Sequence, residues 1–244
     1  MILITGGSGL LGQELKKTVE GYYPSHDFLD ITNKESVTSL VRDNFYMFQG
    51  HTGSNLIVHC AAFTSLERAE KEKQLAYDTN VIGTRNIASL GIPMIYISTE
   101  YVFEGDKGNY EEEDYPNPQN FYAYTKLLGE YESRKAPRSV VIRCLFKARP
   151  FKHDVVCADQ VTSGDYVDRI APEIASAIKN FAILPETLHI GTGRKTLEAI
   201  ARETKPGIEL CSVEDIKSVR LPRDTSLNCA KWEAIKRDNR FCKD

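Results

Sequence analysis

A glycine-rich turn directly after the first apolar run constrains the fold more than any other feature of this sequence. Residues 2–5 read ILIT and predict a short buried strand, and GGSGLLG then places Gly6, Gly9 and Gly12 at G-x-x-G-x-x-G spacing, with a helix expected over 10–19. A strand that turns this tightly into a helix needs glycines, because a side chain would forbid positive φ or fill the space before the backbone. The pattern predicts a cradle for a nucleotide's phosphates, and a plain glycine-rich turn is the alternative.

Short apolar runs alternate with helix-period segments after this turn. The predicted elements are strands at 56–60, 94–98 and 140–144 and helices at 34–48, 66–90, 170–179 and 196–204. The helix over 66–90 is expected to break at Gly83. Strand, helix, strand in repetition predicts an α/β fold, a doubly wound parallel sheet with helices on both faces. We predict a dinucleotide-binding domain at 1–145 and a small, shortened substrate-binding region at 146–244, interleaved with it.

Composition excludes several classes of function. The chain has 31 basic and 34 acidic residues, and no basic patch interleaved with aromatics is visible, so nucleic acid is not expected as a partner. The apolar runs are strand-sized and the first one follows the initial Met directly, so neither a membrane span nor a signal peptide is expected. Six cysteines and five histidines show no metal-ligand spacing. We therefore expect no metal site, and reduced thiols in a cytoplasmic protein are the simplest account.

The stretch NFYAYTKLLGE at 120–130 places a tyrosine four residues before a lysine. On a helix, Tyr122 and Lys126 would share one face with their side chains in reach of each other. A half-buried tyrosine and a snorkelling lysine that cover the same surface are one interpretation. A catalytic pair is the other, because a nearby ammonium favours the phenolate and lowers a tyrosine pKa from about 10 toward neutrality.

The sequence after the first helix bears on the adenosine end of a dinucleotide. Asp27 suits a ribose hydroxyl, while Ser25 and His26 suit a phosphate, so NAD and NADP both stay open. Asp30 and Ile31 suit adenine, with the carboxylate on the exocyclic amine and the apolar side chain on the ring. As an alternative, Asp30 shares with Thr32 the N-terminal cap of the helix that begins near Lys34.

Five stretches in sequence order resemble the extended short-chain dehydrogenase/reductases, and among these the dTDP-4-dehydrorhamnose reductase family. They are HCAAFTSLERAE (59–70), ISTEYVFEG (97–105), NFYAYTKLLGE (120–130), DQVTSG (159–164) and LPRDTSLNCAKWEAI (221–235). The resemblance implies a Rossmann fold, NADP as cofactor with NAD as an alternative, and reduction of a nucleotide-linked 4-keto-6-deoxy sugar. The β subunit of methionine adenosyltransferase resembles the same family. A non-catalytic, NADP-binding regulatory subunit is therefore the second hypothesis.

The resemblance also implies roles for single residues. Tyr122 would protonate the developing alkoxide, Lys126 would also hold the nicotinamide ribose, and Thr99 would hold the substrate oxygen. Glu100 stands where relatives have an aspartate that touches the sugar. The cofactor-binding set becomes Gly6, Gly9, Leu10, Leu11, Gly12, Asp30, Ile31, Ala62, Phe63, Thr64, Tyr122 and Lys126, and the substrate-binding set Thr99, Glu100 and Phe146.

Two more positions bear on the reaction. Asn80 resembles an asparagine that orders a proton-relay water, and a cap or kink in its helix is the structural alternative. Sugar-nucleotide dehydratases of this superfamily carry Thr-Asp-Glu, since β-elimination needs an acid and a separate base. Here Thr99 and Glu100 are followed by Tyr101, so a single carboxylate is present and reduction is favoured.

The chain departs from the family in its substrate half. Only fifteen residues separate Arg143 from Asp159, where relatives fit a loop, a helix and a strand, so we expect the helix to be absent and at most one short strand to remain, around 154–157. The other departures are Gly164-Asp165, Leu221 and His59. The substrate side is therefore expected to be open, unless a second copy in a homodimer or a partner protein covers it.

Overall fold

The computed structural model describes residues 1–43 and 55–241. The chain forms two compact units, each with its own core. The first contains Met1–Ser98 and Phe121–Val141, and the second contains Thr99–Asn120 and Ile142–Asp244. The chain therefore passes from one unit to the other three times. The division predicted between residues 145 and 146 remains a prediction.

The first unit is built on parallel strands in the order β1-β2-β3-β4. They are β1 Ile2–Thr5, β2 Leu56–His59, β3 Met94–Thr99 and β4 Ser139–Cys144. The register pairs Ile2 with Leu56 and Ile57 with Met94. All residues of β2, β3 and β4 are buried, as expected for strands covered on both faces by helices. The predicted α/β fold is confirmed. On the outer side of β1, Tyr22 forms an isolated parallel bridge to Leu3 instead of a full strand.

Helices of the first unit follow the predicted periodicity with different ends. They are α1 Leu10–Leu15, α2 Lys34–Asp43, α3 Leu66–Lys71, α4 Lys73–Tyr77, α5 Gly83–Ala88 and α6 Phe121–Ser133, with a π-helical turn at Asp78–Ile82. The last residues of the helix predicted over 34–48 lie outside the described ranges. The break predicted at Gly83 is wrong, because the helix is interrupted at Glu72, where φ is −110° and ψ is 50°. Gly83 instead allows close packing, since a Cβ there would lie 2.7 Å from Ile31 Cδ1.

The core of the first unit lies between the sheet and these helices. It includes Leu3, Ile57, Met94, Tyr96 and Val141 from the strands, together with Val37, Leu40 and Ile87 from the helices. This burial of apolar side chains is what fixes the helix faces against the sheet.

The second unit contains short strand pairs and three helices. The strands are β5 Phe146–Lys147, β6 Val155–Cys157, β7 Val161–Thr162, β8 Asp165–Tyr166, β9 Thr187–His189, β10 Lys195–Thr196 and β11 Glu209–Cys211, and the helices are α7 Val167–Lys179, α8 Leu197–Arg202 and α9 Ala230–Phe241. The pairs are β5 with β8, β6 with β11 and β7 with β10, while β9 neighbours β4, whose last three residues belong to this unit.

Two features of the second unit bear on the sequence predictions. Between Arg143 and Asp159 the chain forms β5 and β6 and no helix, so the predicted absence of a helix is confirmed. The prediction of at most one short strand is wrong, because β5 forms as well and pairs with β8. Helix α9 was not predicted as a separate element, and it places Trp232 in the core with 0% exposure. In the described parts of the chain, no helix combines the length and the apolar content that crossing a lipid bilayer requires.

Candidate active site

The three glycines of the turn after β1 differ in how much room a side chain would have. Gly6 has φ of +69°, and a Cβ there would lie 2.6 Å from Ala61 N. A Cβ at Gly12 would lie 2.4 Å from Gly6 O. At Gly9, whose N–H donates to Gly6 O at 2.9 Å, the nearest atom to a Cβ is that same oxygen at 3.1 Å. Gly6 and Gly12 thus build the turn, while the Cα of Gly9 faces space that a ligand can occupy.

The loop after β2 is held in place by Asn80. The Phe63 N–H donates to Asn80 Oδ1 at 2.8 Å, and Asn80 Nδ2 donates to Phe63 O at 3.1 Å and to Thr125 Oγ1 at 2.9 Å. Asn80 is 1% exposed and lies in the π-helical turn, so its described contacts are structural. They fix the backbone of the predicted cofactor residues Ala62–Thr64, of which Ala62 and Phe63 are half-buried.

The residues predicted for the adenosine end lie before α2. Asp30 Oδ1 accepts from the Thr32 N–H at 2.9 Å and its hydroxyl at 2.7 Å, and these bonds lower the pKa of Asp30. The alternative that Asp30 caps α2 is wrong, because Asn33 Oδ1 accepts the N–H groups of the first turn. Ile31 is 6% exposed and packs in the core, so only a narrow edge of its side chain is accessible.

Tyr122 and Lys126 lie on one buried face of α6, with exposures of 9% and 3%. Lys126 Nζ donates to Ile97 O at 2.7 Å and lies 4.1 Å from the centroid of the Tyr96 ring. The interpretation of Lys126 as a snorkelling surface residue is therefore wrong. An ammonium fixed on a strand carbonyl, one helical turn from a buried tyrosine, can favour the phenolate of that tyrosine.

Sequence reasoning missed Gly129 as part of this arrangement. A Cβ at Gly129 would lie 2.1 Å from the Tyr96 hydroxyl and 2.7 Å from Asn80 O, so glycine allows α6 to approach β3. Its neighbour Glu130 accepts from the Ser98 hydroxyl at 2.6 Å, which fixes the same helix to the strand. The sequence did carry a signal for this role, because Gly129 lies inside a helical pattern. A glycine there destabilises a helix, so its presence indicates close packing.

His59 stands on β2 close to this lysine and stays uncharged. Burial, and then the charge of Lys126, lower the pKa of His59 to about 3. The Thr84 hydroxyl donates to Asn80 O at 2.7 Å, so it accepts from His59 Nε2 at 3.1 Å, and Nδ1 accepts from Thr5 at 2.6 Å. His59 thus serves as a neutral link between strand and helix.

Thr99 and Glu100 begin the second unit. The Thr99 hydroxyl accepts from the Tyr101 N–H at 3.2 Å. Glu100 has 0% exposure; its Oε1 accepts from the Thr225 hydroxyl at 2.7 Å, while its buried Oε2 has no hydrogen-bond partner in the described part of the chain. Burial raises the pKa of Glu100 to about 7, against the opposing effect of hydrogen bonds from Thr162 and Thr225.

Other predicted residues are less constrained. Leu10 is 38% exposed, Leu11 is buried, and Phe146 is half-buried at the start of β5. Within 1–43 and 55–241, no cluster of three or more His, Cys, Asp or Glu side chains is arranged to hold a metal ion.

The chain is similar in sequence to a known protein family and to several known proteins. A family model described as RmlD substrate binding domain matches residues 1–149. A dTDP-4-dehydrorhamnose reductase of Aggregatibacter actinomycetemcomitans is 38% identical over 154 residues, 58% of this chain and 50% of that protein. Methionine adenosyltransferase 2 subunit beta of Xenopus tropicalis is 34% identical over 144 residues, 52% of this chain and 41% of that protein.

Among solved structures, dTDP-4-dehydrorhamnose reductase from Bacillus anthracis, in complex with NADP, aligns with a TM-score of 0.81 and 26% identity over 96% of this chain and 92% of that chain. By sequence, the chain spans about half the length of the curated relatives it matches.

Proposed function

Because the chain belongs to the RmlD substrate binding domain family, we propose that it is an NADP(H)-dependent oxidoreductase that reduces the 4-keto group of a nucleotide-linked 6-deoxy sugar. The observation that carries this proposal is the buried ammonium of Lys126, held on Ile97 O one helical turn from the buried Tyr122. Reduction of a ketone needs a proton for the oxygen that becomes an alkoxide, and this pair is suited to supply it.

The glycine turn fits the pyrophosphate of a dinucleotide. Gly6 and Gly12 leave no room for a Cβ, and Gly9 presents bare backbone toward open space. Such a surface allows phosphate oxygens to approach main-chain N–H groups. The nicotinamide, when bound, supplies the hydride. NADP is favoured over NAD because the structurally similar reductase was solved with NADP.

The protein's own residues would then share the remaining work. Tyr122 donates its phenolic proton to the substrate oxygen, and Lys126 stabilises the phenolate that remains. The Thr99 hydroxyl accepts from the Tyr101 N–H, which leaves its own hydrogen to donate to a substrate oxygen. Glu100 Oε2 is a buried acceptor that a sugar hydroxyl could reach only if the side chains around it shift, and Phe146 offers a half-buried aromatic surface.

A second candidate is a regulatory subunit that binds NADP without turnover. Two observations favour it: the similarity to methionine adenosyltransferase 2 subunit beta, and the absence of a helix between Arg143 and Asp159. A partner protein, or a second copy of the chain, would then complete the substrate half.

An assay of NADPH oxidation with a dTDP-linked 4-keto-6-deoxy sugar separates the two candidates. Turnover that is lost in Tyr122→Phe supports the reductase. NADPH binding measured by calorimetry, without any oxidation, supports the regulatory subunit. A chain that binds neither NADPH nor NADP+ contradicts both.

A further inference from the structure

Two cysteines of the second unit face each other outside the residues proposed for reduction. Cys157 ends β6 and Cys211 ends β11, and the parallel register pairs them directly. Their Sγ atoms are 3.2 Å apart. A disulfide bond is about 2.05 Å long and joins Cα atoms about 4.4–6.8 Å apart, a range that includes the spacing of neighbouring strands, about 4.8 Å. The sulfurs therefore need to approach by little more than 1 Å to bond.

The two thiols differ in access. Cys157 is 5% exposed, whereas Cys211 is half-buried and reachable from solvent. Burial raises the pKa of the Cys157 thiol to about 12, and Cys211 and the carboxylates of Asp159 and Asp215 act in the same direction. Cys157 thus stays protonated and is shielded from oxidants in solution, while Cys211 is the thiol that a small oxidant meets first.

We propose that Cys157 and Cys211 are a reversible redox pair that forms an intrachain disulfide when a hydroperoxide oxidises Cys211. The Cys211 sulfur attacks the O–O bond of the peroxide and becomes a sulfenic acid, releasing one water when the oxidant is hydrogen peroxide. The Cys157 sulfur then attacks the Cys211 sulfur, the S–O bond breaks, and the hydroxyl leaves with the Cys157 proton as a second water. Two thiols lose two electrons, and one peroxide gains them.

The bond would strengthen a weakly held part of the second unit. In the described residues β11 pairs only with β6, and Leu210 is 47% exposed. The Ala158 N–H donates to Cys211 O at 2.9 Å, and Asp159 Oδ2 accepts from the Ser212 hydroxyl at 2.7 Å. Ser212 begins the turn at Val213–Asp215, which lines a cavity of about 470 Å³. Oxidation would therefore fasten one wall of this cavity to β6.

The test exposes the full chain to graded hydrogen peroxide, blocks the remaining thiols with N-ethylmaleimide and maps the digested peptides by mass spectrometry. We expect one cross-linked peptide pair, Cys157 with Cys211, two fewer free thiols, and full reversal by dithiothreitol. Cys211→Ser should abolish the cross-link. Cys229→Ser is the matched control, since Cys229 is also half-buried, and it should leave the cross-link unchanged.

Two further readouts keep the proposal open to refutation. Cys157→Ala should trap Cys211 as a sulfenic acid that dimedone labels, and oxidation of the unaltered chain should slow amide hydrogen exchange over 209–215. The proposal is overturned if Cys211 is oxidised to sulfinic acid with Cys157 still free, or if Cys211 pairs with another cysteine. It is equally overturned if diamide, a strong thiol oxidant, leaves both thiols free. The Cys211→Ser result stands even if Cys157→Ala does not fold.

Discussion

Lys126 holds a positive charge at a position with 3% exposure, where an ammonium is costly unless it has partners. Ile97 O and the face of the Tyr96 ring supply two of them. These two contacts fix the position of the Lys126 ammonium relative to the preceding turn of α6, which carries Tyr122. In the proposed function, this buried ammonium would stabilise the ionised form of Tyr122.

The first prediction concerns that tyrosine. Tyr122→Phe should retain cofactor affinity within about twofold and lower turnover by about a hundredfold or more, as expected when a general acid is lost. Tyr124→Phe is the control, because Tyr124 lies on the same helix with 46% exposure. NADPH titration by calorimetry and steady-state rates measure the two effects. A Tyr122→Phe chain with the parent rate would exclude this tyrosine as the proton donor.

The second prediction concerns the buried carboxyl of Glu100. Its pKa rises from 4.5 to about 7 on folding, so the folded chain keeps the proton to higher pH than the unfolded chain does. The associated stability is complete below about pH 4.5 and is lost as pH rises through about 7. Glu100→Gln cannot ionise, so relative to the parent it should gain stability between pH 5 and pH 8, on the order of 3 kcal/mol.

Urea unfolding at pH 5 and pH 8 measures this difference. Glu111→Gln, at an exposed glutamate of the same unit, serves as the control. Parallel pH profiles of the parent and Glu100→Gln would show that Glu100 does not ionise in this range.

At the scale of single elements, the glycine turn allows binding and folding to be separated. Gly9→Val places its Cβ near Gly6 O at 3.1 Å, a contact that a small shift relieves, whereas Gly12→Ala places one 2.4 Å from the same oxygen. Gly9→Val should therefore keep its melting temperature and lose NADP(H) affinity by at least about tenfold, or about 1.4 kcal/mol. Gly12→Ala should lower the melting temperature. Unchanged affinity in Gly9→Val would mean that the turn is structural only.

The segment between Arg143 and Asp159 leads to a prediction about substrate. It forms two short strands and no helix, whereas the family resemblance implies a helix here that helps to close a sugar pocket. Remote contacts hold a reacting carbon in position, so their loss costs affinity and orientation. We expect NADPH to bind at least about tenfold more tightly than a dTDP-sugar does, by calorimetry on the isolated chain. Equal affinities would show that other residues compensate for the missing helix.

Local patterns allowed the strands of the first unit, the glycine turn and the Tyr122–Lys126 pair to be predicted, because each depends on periodicity or on spacing within a few residues. Contacts between residues far apart in the sequence could not be predicted in this way. Glu100 bonds to Thr225, 125 residues away, and Gly83 packs on Ile31, which no local pattern encodes. Helix α9 is rich in charged and polar residues, with Trp232 and Ile235 among its few apolar ones, so its helical periodicity is weak.

For the whole molecule, the chain passes between the two units three times, and this path determines which fragments can fold. Thr99–Asn120 belongs to the second unit, where Phe103 stacks on Tyr110 at 4.3 Å and on the edge of His189 at 5.6 Å. A fragment of residues 1–145 would keep this segment and lose most of the unit that buries it. We expect the fragment to bind a hydrophobic dye and to aggregate, unlike the full chain. A soluble fragment with a cooperative thermal transition would instead establish 1–145 as an independent domain.

Because Trp232 lies in the second unit, its fluorescence can follow the unfolding of that unit separately. It is the single tryptophan of the chain, it has 0% exposure, and its Nε1 donates to Glu173 at 2.6 Å within the second unit. Indole emission excited at the red edge of the absorption band therefore reports on that unit alone, whereas far-ultraviolet ellipticity averages over the helices of both. Two probes that coincide through a denaturant titration indicate one cooperative transition. Tryptophan fluorescence therefore monitors the second unit of this protein selectively.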